Sequence, residues 1–213
     1  MAHLNELYDA ILNGDAKKAH ATTAEALAAG AVPMDLIQEY MVPAMEEVGR
    51  LFEAEEYFVP ELLLAGRAMK SAMELLKPLL AASGQKMAVR VVIGTVQGDL
   101  HDIGKNIVAS MLEGSGFEVI DLGTDVSPES FVAAVEARQP HVVCMSALLT
   151  VTMPAMKTTI DALKTAGLRT RVKVIIGGAP VTTQYAREIG ADGYSENANG
   201  AVGLVKNLLA EGR

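Results

Sequence analysis

From about residue 88 onward, short apolar runs alternate with segments whose apolar residues recur at helical spacing. The runs predict strands at 88–94, 117–121, 141–146 and 172–176, and a weaker one at 192–194. The remaining segments predict helices at 103–114, 128–138, 154–166, 182–189 and 198–210. Strict alternation of strands and helices implies a parallel sheet with helices on both faces, joined by right-handed crossovers. We therefore expect a doubly wound domain with a five-stranded sheet over residues 88–213.

The first 82 residues have a different pattern, in which apolar residues recur every three or four positions without strand-like alternation. A first helix begins near Leu4, Asp15 caps a second, Pro33 opens a third and Pro60 opens a fourth. Four helices of this length predict a small antiparallel bundle over residues 1–82. The segment Ala81-Ala82-Ser83-Gly84-Gln85 is small and polar, and the linker is expected at 83–87.

Three turns follow predicted strands, at the edge where open parallel sheets bind ligands. They are Asp99-Leu100-His101-Asp102-Ile103-Gly104, Ser146-Ala147-Leu148-Leu149-Thr150 and Gly177-Gly178-Ala179-Pro180. In the first, Asp99 can accept one ring N–H of His101, which makes the other nitrogen a better metal ligand. The same residues also suit a surface turn whose aspartate caps the next helix.

Composition narrows the choice of function. The formal net charge is −8, there is no basic run, and the chain has four phenylalanines, five tyrosines and no tryptophan, which disfavours nucleic-acid binding. The longest apolar stretches are far shorter than a membrane span, and no secretory signal is expected. The single cysteine, Cys144, lies in an apolar run and is expected to be a core residue. A reducing cytoplasm suits such a chain.

The three turns together resemble the cobalamin-binding module of methionine synthase, through Asp99-x-His101-x-x-Gly104, Ser146-x-Leu148 and Gly177-Gly178. The helical half is similar to the cap bundle that covers the upper face of the corrin in that enzyme. The matching segments are Val48-Gly49-Arg50-Leu51-Phe52, Glu55-Glu56-Tyr57-Phe58-Val59-Pro60-Glu61 and Ala65-Gly66-Arg67-Ala68-Met69. The size and two-part layout resemble the corrinoid proteins of anaerobic methyltransferase systems, which use methanol, methylamines or aryl methyl ethers. The resemblance implies a helical cap followed by a Rossmann-like or flavodoxin-like cobalamin-binding domain.

The resemblance also implies how cobalamin binds: its lower base is displaced and His101 ligates the cobalt. Asp99 would bond to the imidazole, and Thr152, which stands where methionine synthase has serine, would contact Asp99. These three are the expected catalytic residues, and His101 is the expected metal ligand. Ser146 and Thr150 would meet the displaced base, while glycines would let the backbone approach the nucleotide tail. The full expected cofactor-binding set is Gln97, Asp99, His101, Asp102, Ile103, Gly104, Ser146, Leu148, Thr150, Gly177 and Gly178 in the sheet domain, with Phe58 and Met69 in the cap.

The function that the resemblance implies is methyl carriage, with cobalt cycling between Co(I) and methyl-Co(III). The expected partners are a substrate-specific methyltransferase, an acceptor methyltransferase that uses a folate or a thiol, and a reductive activase. The chain would be the carrier subunit of such a system and would not catalyse the reaction alone.

Other interpretations remain open on the sequence. A cobalamin-dependent sensor would use the same two domains after a DNA-binding segment, but no basic recognition helix precedes residue 15. The small subunit of a radical mutase would share the Asp99-x-His101-x-x-Gly104 pattern, although the helical cap favours methyl transfer. A flavodoxin-like domain without cobalamin would leave Asp99 and His101 unexplained.

Overall fold

The computed structural model describes residues 4–82 and 89–210. The chain divides into two compact units, one of Met1–Ala88 with Ser110–Phe117 and the other of Val89–Ala109 with Glu118–Arg213. The linker predicted at 83–87 lies outside the described residues. Nowhere in the described ranges is a helix both long and apolar enough to cross a membrane.

The N-terminal unit is helical, as predicted. Its helices are Leu4–Leu12 (α1), Ala16–Ala28 (α2), Pro33–Leu36 (α3), Val42–Glu53 (α4) and Val59–Ala82 (α5). Asp15 caps α2 by accepting a hydrogen bond from the Lys18 amide. Phe58 precedes α5, and the Glu61 carboxylate accepts a hydrogen bond from its amide at 2.9 Å, which is half of a capping box.

The sequence pattern did not predict a π-helical turn over Ile37–Met41, which joins α3 to α4. The Val42 amide donates to the Ile37 carbonyl, five residues back. The next residue is Pro43, which has no N–H to donate to the preceding turn, so the wider turn costs less here than elsewhere in a helix. Ile37 and Met41 are nevertheless buried, so both ends of the π-helical turn contribute apolar side chains to the core.

The second unit is a parallel sheet with helices between its strands. Its strands are Arg90–Thr95 (β1), Glu118–Asp121 (β2), Val142–Ser146 (β3), Lys173–Gly177 (β4) and Gly193–Ser195 (β5). The helices that follow the strands are Ile103–Gly114 (α6), Pro128–Arg138 (α7), Pro154–Thr165 (α8), Thr183–Ile189 (α9) and Ala198–Ala210 (α10), with a short 3-10 turn at Arg169–Arg171. The end of α6, from Ser110, is grouped with the first unit. The five-stranded doubly wound prediction is confirmed.

The strand order is β2-β1-β3-β4-β5, and every pairing is parallel. β1 and β3 are adjacent at the point where the order reverses, and open sheets of this kind bind ligands outside the carboxyl ends of those strands. Thr95, Ser146 and Gly177 lie in register across β1, β3 and β4, so the three predicted turns leave the sheet side by side. The interiors of these three strands are buried, as expected for a sheet covered on both faces.

Candidate functional site

The site begins with a tight turn at the carboxyl end of β1. The Asp99 amide donates to the Val96 carbonyl at 3.1 Å, and Gly98 occupies the third position of the turn with φ +84°. Left-handed backbone at that position favours glycine. Asp99 thereby leaves the strand with its carboxylate turned inward and its side chain fully buried.

Asp99 is the centre of the hydrogen-bonding network. Oδ2 accepts from the Thr152 hydroxyl at 2.7 Å and from the Leu148 and Leu149 amides at 2.8 Å and 3.3 Å. Oδ1 accepts from the His101 amide at 3.0 Å and lies 2.7 Å from His101 Nδ1. The predicted contacts of Asp99 with His101 and Thr152 are both present in the structure. The Leu148 and Leu149 amides come from the turn after β3, whereas the His101 amide belongs to the loop after β1 that also carries Asp99, so two neighbouring loops hold one carboxylate.

These contacts fix the charge of Asp99. Burial alone would raise the pKa of this carboxyl, because it disfavours the ionised form. Hydrogen bonds from the Thr152 hydroxyl and from the His101 and Leu148 amides outweigh burial and hold the pKa of Asp99 well below its usual range. Asp99 is therefore a carboxylate under all ordinary conditions and can act only as an acceptor.

His101 has one nitrogen turned toward the protein and a ring that is half exposed. Its side chain is 49% accessible, against 0% for Asp99. Because Asp99 is ionised, Nδ1 carries the proton, and the tautomer leaves the Nε2 lone pair available to a ligand. The buried Thr95 hydroxyl donates to the His101 carbonyl at 2.9 Å, which fixes the backbone of the same residue.

The other predicted residues of this unit lie on the three loops as expected. Gln97 is exposed in the turn after β1, and Ser146 is half-buried at the end of β3. Thr150 is exposed in the loop that follows β3. Asp102 precedes α6, with its carboxylate accepting from the Asn106 amide group at 3.1 Å. Ile103 opens α6.

The space available for a side chain differs among the three predicted glycines. A Cβ on Gly178 would lie 1.9 Å from the Ala147 carbonyl oxygen, so the approach of two backbones already excludes any other residue there. A Cβ on Gly177 would meet the Ser195 carbonyl at 3.1 Å. At Gly104 an added Cβ meets nothing within 4 Å, which leaves open space beside the start of α6.

Exposed apolar side chains lie on the loops that carry His101 and Leu148, and only Ile103 and Leu148 among them are predicted site residues. The set is Leu100, Ile103, Leu148, Leu149 and Val151, of which Val151 is 80% exposed. Contiguous exposed apolar residues mark binding surfaces. An available imidazole nitrogen among exposed apolar side chains would suit a largely apolar ligand whose metal takes nitrogen donors.

The predicted cap residues lie in different environments. Phe58, just before α5, is 61% exposed, whereas Met69 within α5 is buried in the core of the helical unit. Their expected contact with a cofactor stays a prediction.

Sequence reasoning missed three contributors to the network. The Leu149 amide could not be found from the sequence, because every residue except proline has a backbone N–H. The Thr95 hydroxyl could not be found either, because threonine is also a common strand residue. The third, Asp125, bonds to the backbone of the Asp99 turn. A polar residue in the loop after β2 was the one available signal, since that loop also leaves the carboxyl edge of the sheet.

Comparison with known proteins identifies the family. Two family models described as B12 binding domain match residues 89–203 and residues 3–77. Trimethylamine corrinoid protein 2 of Methanosarcina mazei is 45% identical over 206 residues, covering 96% of this chain and 94% of that protein.

Two solved structures are similar over almost the whole chain. A cobalamin-binding protein from Desulfitobacterium hafniense has a TM-score of 0.76 and 38% identity, covering 96% of this chain and 97% of that one. A chain of the methanol:cobalamin methyltransferase complex from Methanosarcina barkeri has a TM-score of 0.88 and 31% identity, covering 98% of this chain and 80% of that one. With both B12-binding matches and full-length relatives of this kind, the chain belongs to the family of corrinoid proteins, whose cofactor is a cobalamin.

Proposed function

We propose that this chain holds a cobalt corrinoid through His101, with the lower base displaced, and carries a methyl group between two methyltransferases. One methyltransferase would take the methyl group from a methylated amine, and the other would pass it to a folate or a thiol. A reductive activase would complete the system. The observation that carries the proposal is the His101 imidazole, oriented by a buried carboxylate and half exposed among apolar side chains.

When bound, the corrin supplies a cobalt centre that accepts and donates the methyl group. His101 would be its single protein ligand through Nε2, since Nδ1 is engaged with Asp99. Asp99 Oδ1, 2.7 Å from Nδ1, would hold the ring in the orientation and tautomer that leave Nε2 to the metal. Thr152 and the loop amides keep that carboxylate ionised and in place.

The relatives support a methylated amine as the donor class. The protein that is 45% identical is named for trimethylamine, while the chain from the methanol complex is 31% identical. The partner methyltransferase would select the methyl donor, and this corrinoid protein would have to bind that methyltransferase.

Spectroscopy of the loaded protein tests the ligation. Protein labelled with ¹⁵N-histidine is loaded with cobalamin, desalted and reduced to Co(II), and its electron paramagnetic resonance spectrum is recorded. Ligation by histidine splits the signal into doublets, whereas a retained lower base, with ¹⁴N, gives triplets. The doublets should vanish in His101→Ala and persist in His20→Ala, which changes an exposed histidine of α2. Triplets in the wild type would overturn the proposed ligation, and loss of all corrinoid from folded wild type would overturn methyl carriage.

A second assay tests the donor. Reduced holoprotein is mixed with a trimethylamine-specific or a methanol-specific methyltransferase and its substrate, and corrinoid methylation is followed by absorbance. We expect methylation with the amine enzyme alone. Methylation only with the methanol enzyme would reverse the proposed donor class.

A further inference from the structure

Asp125 has an unusual backbone conformation beside the site. It lies in the loop between β2 and α7 and has φ +52°. Residues other than glycine adopt this left-handed region infrequently, and aspartate and asparagine tolerate it best. Such strain persists where surrounding contacts impose it, and it concentrates at functional sites.

The contacts that impose it are made to the turn that carries Asp99. The Asp125 amide donates to the Asp99 carbonyl at 3.0 Å, and the Asp125 Oδ1 atom accepts from the Gly98 amide at 2.7 Å. The main chain of Asp125 thus bonds to Asp99, and its side chain bonds to the preceding residue, Gly98. The bond to Gly98 is charge-assisted, which makes it stronger than a neutral hydrogen bond.

The loop that holds Asp125 is itself anchored to β1. The Thr95 amide donates to the Gly123 carbonyl at 2.9 Å, and the Val126 amide donates to the Thr95 carbonyl at 3.0 Å. Asp125 lies between these two anchors, so its position relative to the Asp99 turn is fixed.

Asp99 is consequently held from two sides. The loop after β3 binds its carboxylate, and the loop after β2 binds its backbone. β1 lies between β2 and β3 in the sheet, so the two loops flank the turn. Both loops thus contact the residue whose carboxylate lies 2.7 Å from the His101 ring.

We propose that Asp125 is a positioning residue for His101, which holds the Gly98–Asp99 backbone so that the imidazole is aimed at the metal before the cofactor binds. The inference rests on the proposed ligation by His101. It assigns to Asp125 no contact with the cofactor.

Three substitutions separate the features of Asp125. Asp125→Asn keeps an acceptor oxygen and tolerance of the left-handed backbone, so it should retain most of the function. Asp125→Gly keeps the backbone freedom and removes the acceptor. Asp125→Ala removes the acceptor and adds strain, so it should be the most impaired.

Two measurements on the full chain test the proposal. In the cofactor-free protein, hydrogen exchange at the Gly98 amide should accelerate in Asp125→Gly and not in Asp125→Asn. After loading with cobalamin, the ¹⁵N-histidine doublets should weaken in Asp125→Gly in favour of base-nitrogen triplets, and cobalamin affinity should fall about tenfold, the lower end of the range for residues that orient a metal ligand. Asp125→Asn should remain near the wild type in both.

The outcomes distinguish this inference from the proposed function. If the wild type gives doublets and Asp125→Gly gives equal doublets with unchanged affinity, the positioning role is refuted while ligation by His101 stands. If the wild type gives no doublets, the proposed ligation fails and this inference fails with it. A general loss of fold is detected separately, since it would abolish the helical circular dichroism of Asp125→Gly and accelerate exchange throughout the sheet; that result would also refute a local positioning role.

Discussion

Thr152 offers the sharpest test of how the buried carboxylate is held. Its hydroxyl lies 2.7 Å from Asp99 Oδ2 and 2.8 Å from the Leu149 carbonyl, and its single proton can serve one of them at a time. The ionised carboxylate is the stronger acceptor. Thr152→Val keeps the shape of the side chain and removes only the hydroxyl.

The expected loss of stability in Thr152→Val depends on the hydrogen bonds that Asp99 still accepts. A hydrogen bond to a charged group contributes about 1.5–3 kcal/mol. The Leu148, Leu149 and His101 amides continue to bind Asp99, so we expect a loss near the lower limit, about 1.5–2 kcal/mol, in the free energy of unfolding of the sheet unit. Thr152→Ser keeps the hydroxyl and loses one methyl group, at a cost of about 0.8 kcal/mol.

Urea unfolding of the four members of a double-mutant cycle with Asp99→Asn measures the coupling. A neutral amide accepts a weaker hydrogen bond, so Thr152→Val should cost about 1 kcal/mol less in the Asp99→Asn background. If Thr152→Val costs the same in both backgrounds, or costs less than Thr152→Ser, then the hydroxyl does not stabilise the Asp99 carboxylate and the reasoning is wrong.

Three further predictions concern packing and charge. Gly178→Ala should reduce the free energy of unfolding in urea by about 2–4 kcal/mol, because its Cβ would lie 1.9 Å from the Ala147 carbonyl oxygen; an unchanged urea midpoint would contradict this. Asp121→Asn should lower the free energy of unfolding in urea by about 1–3 kcal/mol, because the buried Lys105 ammonium loses its carboxylate partner. A second change, Lys105→Met, should recover part of the loss because it removes the buried charge. Since the pKa of Asp99 is lowered by folding, its ionised form stabilises the protein fully above the unfolded-state pKa of about 3.9, and this contribution disappears as the pH falls through the folded-state value. The stability gap between wild type and Asp99→Asn should therefore narrow between about pH 5 and pH 3, and a constant gap would show that the charge is not the cause.

Most of the fold followed from local pattern. The bounds of α6, α7 and α10 agree with the prediction, and the strands differ by one or two residues at their ends. Buried parallel strands are continuous apolar runs, and their periodicity contrasts with that of helices, so local sequence is enough to place both. The π-helical turn was not predictable from the sequence. Pro43 lacks an N–H, and a helix can accommodate a proline either with a wider turn or with a kink.

The candidate site likewise has one part that the sequence predicts and another that it does not. The spacing of Asp99 and His101 is short enough for one turn to join them, so the sequence alone determined that pair. The Leu148 and Leu149 amides and the Asp125 clamp are separated from Asp99 by 49, 50 and 26 positions, and none has a side-chain pattern that identifies its partner. Only the strand order, which places the loops after β2 and β3 on either side of β1, brought the two leucine amides to the Asp99 carboxylate and Asp125 to the Gly98–Asp99 backbone. Hydrogen bonds to the backbone depend on where chains meet in space, and tertiary structure alone decides that.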